Sequence, residues 1–216
     1  MVKLNLGNFS IEWLGHASFK ISTKEKIIYI DPYILPKDLE TADLILVTHG
    51  HYDHCDVTNI KKLLKANTML IATEDCRGAL KGMKFKEVKP GESIEEGKIK
   101  IETVAAYNIN KFRSPNTPFH PKGEMVGYVI TVSGKRIYHA GDTDATPEMK
   151  NLKDIDVALL PIGGTYTMTV EEAAEAINTF KPKIVIPMHY NAFEAIKTDP
   201  RKLVKLVKGS EVKILK

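Results

Sequence analysis

An α/β fold of two packed sheets with helices on their outer faces is what this 216-residue sequence predicts. Three observations carry that expectation. Short β-like apolar runs dominate the chain, helix-like segments flank the buried ones, and the second half repeats the plan of the first.

In chain order, "SIEWL", "ASFKIS" and "KIIYID" are short strands, followed by the buried-looking "ADLILVTH". A helix is expected at about Val57 to Lys65, then the strand "TMLIAT", a second short helix near Glu74 to Leu80, and the strands "FKEVK", "ESIEE" and "KIKIETVAAY". The stretch "MVGYVITVSGKRIYHAGD" reads as a hairpin turning at Ser133-Gly134, and "DVALLPI" as a buried strand. Val170 to Phe180 is a helix that Thr169 caps while Glu172 reaches back as the reciprocal partner. "KIVIPMHY" is another buried strand, and Asp199-Pro200 opens a last helix ending at Gly209. No low-complexity linker divides the halves, so residues 1–216 are expected to form one domain.

The segment from Tyr107 to Glu124 breaks this regularity. It is rich in Asn and Pro and reads as a long loop without structure of its own, which in a compact domain is functional or disordered. Its one histidine is His120.

Composition narrows the function classes. With 43% hydrophobic residues the chain can bury a sizeable core. No run approaches a membrane span, and the start "MVKLNLGNFS" lacks the apolar core of a signal peptide, so a soluble cytoplasmic protein is expected. A net charge of +4 from 31 basic and 27 acidic residues, with no block of five like charges, argues against a nucleic-acid groove. Cys55 and Cys76 suit reduced thiols, not a disulfide framework.

Three of the seven histidines fall within the six residues "HGHYDH". Placed in a turn after "LILVT", His49, His51, Asp53 and His54 can aim at one point, and imidazole with carboxylate suits a borderline divalent ion: zinc first, with manganese or iron as alternatives. Polar groups recur at other strand ends. "YHAGDTD" sets His139, Asp142 and Asp144 after "KRIY", and "IPMHY" sets His189 after "KIVI", where open sheets gather their ligands.

These motifs, "THGHYDHCD", "HAGDTD" and "PMHY", resemble the metallo-β-lactamase superfamily over nearly the whole chain from "WLGHASFKI" onward. "WLGHASF", "YHAGDTD" and "LLPIGGTYTM" look most like its branch containing the ascorbate-phosphate lactonase and related metal-dependent hydrolases. The resemblance implies a four-layer αββα sandwich with a two-metal site. It makes His49 and His51 ligands of one ion, Asp53, His54 and His189 ligands of the other, and Asp142 the bridge. It further implies a hydroxide bridging the two ions as nucleophile. Tyr52 stands between His51 and Asp53, where the diiron redox branch tends to carry an acidic ligand, so hydrolysis is favoured over oxygen or nitric oxide reduction.

One departure stands out. Many members carry the third histidine of the first metal just after the strand that here reads "TVAAYN", where this chain has Tyr107 and Asn108. Either His120 supplies it from the long loop, or water or Asn108 completes the site. His16 is either a site-lining group or a hydrogen-bonded hairpin histidine, and Asp31 either supports a ligand imidazole or merely turns the chain. Trp13 is expected in the core, and "IGGTYTM" resembles a substrate-side loop.

The expectation is a metal-dependent hydrolase of an ester, lactone or phosphodiester, with Asp53, Asp142 and His16 as its catalytic groups. The leaving group's proton would come from a metal-bound water or His16. The substrate is a small molecule, with a phosphorylated one suggested by Lys111, Arg113 and Lys122. Assembly into a homo-oligomer is left open. The non-enzymatic alternative is a metal-binding or sensing module whose ligands close the coordination shell.

Overall fold

The computed structural model describes residues 3–35 and 39–215, so both ends of the expected 1–216 domain lie outside it. The chain forms two compact units, residues 1–88 with 215–216, and residues 89–214.

The first unit is built on a seven-stranded sheet whose strands follow chain order: β1 (Lys3–Asn5), β2 (Phe9–Gly15), β3 (Ser18–Thr23), β4 (Ile27–Ile30), β5 (Leu44–Leu46), β6 (Met69–Thr73) and β7 (Lys86–Val88). β1 to β4 pair antiparallel and β4 to β7 parallel. Parallel neighbours need a crossover, and α1 (Val57–Leu63) supplies the one between β5 and β6. Asp56 starts this helix by accepting a hydrogen bond from the Asn59 amide, and Ile60 and Leu63 bury its inner face against Ile45, Leu70 and Ala72. The three residues of β5 are all buried, the pattern of a strand covered on both faces.

The second unit repeats the plan. Its seven-stranded sheet has the order β16-β15-β14-β13-β12-β9-β8, with β8 (Ser93–Glu96), β9 (Ile99–Ala106), β12 (Met125–Val132) and β13 (Lys135–His139) antiparallel. β13 to β16 then run parallel through β14 (Val157–Pro161), β15 (Ile184–Met188) and β16 (Glu211–Val212). The β12–β13 hairpin turns at Ser133 (φ 50°) and Gly134 (φ 73°), the two left-handed positions that a tight hairpin of this twist requires. α2 (Pro147–Lys150) and α3 (Val170–Phe180) lie in the crossovers from β13 to β14 and from β14 to β15, and α3 carries the expected capping box from Thr169 and Glu172. α4 (Arg201–Leu206) is shorter than expected.

Three readings need correction. The segment Tyr107 to Glu124 is not structureless, because it holds a small hairpin of β10 (Phe112–Ser114) and β11 (Thr117–Pro118). The helix expected near Glu74 to Leu80 is one 3₁₀ turn, Glu74–Arg77, that ends before Gly78. Trp13 is half-buried, its indole N–H donating to the His16 carbonyl at 2.9 Å. Among the described residues no helix is long and apolar enough to cross a membrane.

In both units the polar clusters sit just beyond the C-terminal ends of parallel strands: Asp31 after β4, His49 to His54 after β5, Asp142 after β13 and His189 after β15. There the backbone leaves the ladder and side chains from neighbouring turns can converge.

Candidate metal centre

In the first unit, the loop after β5 is tied into one shape by its own backbone and by Asp75. The amides of His54 and Cys55 both donate to the His51 carbonyl, at 3.0 and 2.8 Å. The Gly50 amide donates to Asp75 Oδ2 at 2.6 Å. A Cβ on residue 50 would stand 2.6 Å from the Asp75 carbonyl oxygen, so the residue between His49 and His51 has to be glycine.

Asp31 organises the histidines of this loop. Fully buried, it accepts from the Thr48 amide at 2.8 Å, from the Thr48 hydroxyl at 2.7 Å, and from His54 Nδ1 at 2.7 Å. A carboxylate can only accept, so His54 carries its proton on Nδ1 and keeps a lone pair on Nε2. The Thr48 hydroxyl proton is committed to Asp31, so its oxygen accepts from His49 Nδ1 at 3.0 Å, and His49 too keeps its lone pair on Nε2. Asp31 therefore does more than turn the chain: it orients the His54 imidazole.

His49 Nε2 lies 3.0 Å from His51 Nδ1. Two nitrogens on one tetrahedral zinc are about 3.3 Å apart, so this pair suits a shared cation. On the other side of His54, Asp53 Oδ2 is 3.0 Å from His16 Nε2 and 4.0 Å from His54 Nε2. Tyr52, between His51 and Asp53 in the chain, is 70% exposed.

In the second unit the converging point is Asp142. Its Oδ2 is 3.0 Å from His189 Nε2 and 3.4 Å from His120 Nε2, and all three side chains are buried. His189 adopts a left-handed backbone, φ 54°, directly after β15. Asn108 holds His120: its Oδ1 accepts from the His120 amide and faces His120 Nδ1, both at 2.8 Å. The Asn108 amide nitrogen donates to the Tyr166 carbonyl at 2.9 Å, which fixes which way the amide points. "IGGTYTM" therefore has a structural task, reaching His120 through Asn108.

Asp144 and His139 support this half from behind. Asp144 Oδ2 accepts from the amides of Ile109 and Asn110, at 2.6 and 3.0 Å, pinning the start of the loop. His139 Nδ1 accepts from the Gly141 amide at 3.2 Å within the turn that leads to Asp142. Lys111 is taken up by Glu172 at 2.7 Å and by Asp144 at 3.6 Å. Burial works against ionising Glu172, but Lys111, the Thr169 amide and Asn110 outweigh it and hold its carboxyl below the usual range.

The donor set fits divalent ions. Buried imidazoles whose remote nitrogens are bound by Asp31, Thr48 and Asn108 present their other nitrogens as lone pairs, as metal-binding histidines do. The thiols do not join them: both are buried, and a hydrogen bond with Cys55 and then burial push the Cys76 thiol far up. Within each unit the structure gathers the residues singled out from sequence, namely His16, His49, His51, Asp53 and His54 in the first, and His120, Asp142 and His189 in the second. Sequence reasoning missed Thr48 and Asp75, whose residue types carry no signal. It considered Asn108 only as a rival ligand.

The sequence profile of the Beta-lactamase superfamily domain matches residues 10–189. A UPF0173 metal-dependent hydrolase of Pyrococcus abyssi is 37% identical, over 95% of this chain and 94% of that protein. A crystal structure from Parabacteroides distasonis is 38% identical with a TM-score of 0.86, covering 95% of this chain and 92% of the other. The metallo hydrolase Igni18 of Ignicoccus hospitalis is 28% identical with a TM-score of 0.75, over 96% and 94% of the two chains.

Proposed function

The chain belongs to the beta-lactamase superfamily and has its α/β fold, and from that premise we propose that it is a metal-dependent hydrolase of a small-molecule ester, lactone or phosphodiester. In this reading His49, His51 and His120 hold one divalent ion, Asp53, His54 and His189 hold the other, and Asp142 is shared. Residues 1–216 act as one domain, since the family match runs through both compact units.

The observation that carries the reading is Asp142, where one carboxylate oxygen meets two buried imidazole nitrogens at 3.0 and 3.4 Å. Such a group offsets positive charge while leaving room for a second cation contact. Two ions so held would supply Lewis acidity and a hydroxide nucleophile at neutral pH. The chain's own part is to fix the ligands. Asp31 and Thr48 set the proton positions of His54 and His49, and Asn108 does the same for His120. Asp53 Oδ2 faces His16 Nε2 at 3.0 Å. Zinc, manganese and iron all suit imidazole and carboxylate donors.

The lactone arm rests on the phrases that resemble the ascorbate-phosphate lactonase. A phosphorylated substrate draws less support, because Lys111, the nearest of its three basic side chains to the site's supports, is bound by Glu172 and Asp144. The two buried thiols suit a reducing, cytoplasmic setting.

Metal analysis of the purified protein, followed by turnover of nitrophenyl esters and bis-nitrophenyl phosphate with zinc or manganese, tests the proposal. About two ions per chain with chelator-sensitive turnover is the expected result. Bound ions without turnover of any ester, lactone or diester would favour the sensing module, and a chain that takes up no ion would overturn the metal assignment itself.

A further inference from the structure

We propose that His16 is itself a metal ligand, so that the first unit alone offers the second ion two imidazoles and a carboxylate: His16, His54 and Asp53. This rests on the metal-centre reading above and deepens it, replacing the acid or site-lining role expected from sequence.

The geometry inside the first unit points this way. A ligand atom from each of His16, Asp53 and His54 lies within 4.8 Å of the others. Asp53 Oδ2 is 3.0 Å from His16 Nε2 and 4.0 Å from His54 Nε2. Donors about 2.1 Å from one ion stand about 3.0 Å apart when adjacent at right angles and about 4.2 Å apart when opposite, so the two measured edges fit an adjacent pair and a wide-angle pair. The rings of His16 and His54 also meet edge to face, with centroids 5.4 Å apart, which brings both imidazoles to the same carboxylate oxygen.

The turn that carries His16 is built to aim it. His16 takes a left-handed backbone, φ 52°, which a non-glycine residue adopts at some cost. Gly15 before it has φ 122° and packs on Ile34, whose side chain would stand 3.2 Å from a Cβ at that position. The Trp13 indole fixes the His16 carbonyl, and the imidazole is fully buried.

The test is direct. The protein is labelled with ¹⁵N in its imidazoles, loaded with ¹¹³Cd, and examined for one-bond cadmium–nitrogen coupling, with each ring assigned through its own Cβ. Six of the seven histidines should couple, His139 being the exception. His16→Asn, a substitution that tolerates the left-handed turn, should remove one coupled signal and leave the other five, with the metal-free variant melting as a folded protein. Coupling at five histidines but not at His16 would overturn this inference and leave the metal centre standing. No coupling at any histidine would overturn both.

Discussion

Asn108 Oδ1 meets the backbone amide and the Nδ1 of His120 at the same distance, 2.8 Å, so one side-chain oxygen holds both the residue and its ring. The Asn108 backbone amide completes the clamp by donating to the His120 carbonyl at 2.9 Å. An acceptor at Nδ1 places the proton there and leaves Nε2 for coordination.

Asn108→Ala should therefore weaken the ion proposed at His120 by about 10- to 100-fold, the usual effect of losing such a support. Asn108→Asp, which keeps the acceptor, should retain most of the affinity. Chelator competition measures both. Equal affinities in wild type and Asn108→Ala would show that the clamp serves the loop and not the metal.

Asp31→Asn should act on the other ion. The amide can still accept from Thr48, but it no longer places a full negative charge against His54 Nδ1 at 2.7 Å. Affinity for the ion held by His54 should drop by about 10- to 100-fold while the fold persists, as read by metal titration beside circular dichroism.

Asp142→Asn should keep the fold and lower turnover by on the order of 10²-fold or more, because shape is preserved while the charge facing His120 and His189 is lost. Near-normal turnover with normal metal content would remove Asp142 from the centre of the mechanism.

Gly50→Ala tests the close approach between the histidine loop and Asp75. The added methyl would lie 2.6 Å from a backbone oxygen, so the loop must shift. Loss of about 1–3 kcal/mol in urea unfolding is expected, together with weaker binding at His49 and His51 than at the other ion.

The Lys111–Glu172 pair gives a pH-dependent prediction. The Glu172 carboxyl is held below its usual range in the folded chain. Its contribution to stability is thus present above the unfolded carboxylate value of about 4.3 and is lost as pH falls through the lower folded value. Glu172→Gln can still cap α3 but cannot pair with Lys111. It should be less stable than wild type at pH 7, by about 0.5–1 kcal/mol for a partly exposed pair, and the gap should fade below about pH 4. Melting curves at the two pH values settle it, and a gap that widens on acidification would refute the pairing argument.

The sequence by itself determined the elements whose signals are local. The capping box at Thr169 and Glu172, the Ser133-Gly134 hairpin and the buried run of β5 are each set by neighbours within a few residues, so periodicity and turn chemistry reveal them. It also singled out "HGHYDH" as a candidate metal-binding turn, because that density of imidazole and carboxylate has few other uses. Short elements escaped it: β1, α2, β16 and the β10–β11 hairpin are too brief to show a period and are held by what they pair with. Of the supports, the sequence suggests only Asp31, as one of two readings, and leaves Thr48, Asp75 and the supporting role of Asn108 unseen. Asp31 and Thr48 reach His54 and His49 from 23 residues away and from next door respectively, Asp75 reaches Gly50 across 25 residues, and Asn108 reaches His120 across 12. Which of several ordinary Asp, Asn and Thr residues meets which imidazole depends on strand pairing and loop closure. Only the tertiary structure decided which nitrogen of each histidine is left to bind, because a proton's position is set by the partner opposite it and not by the residue that carries it.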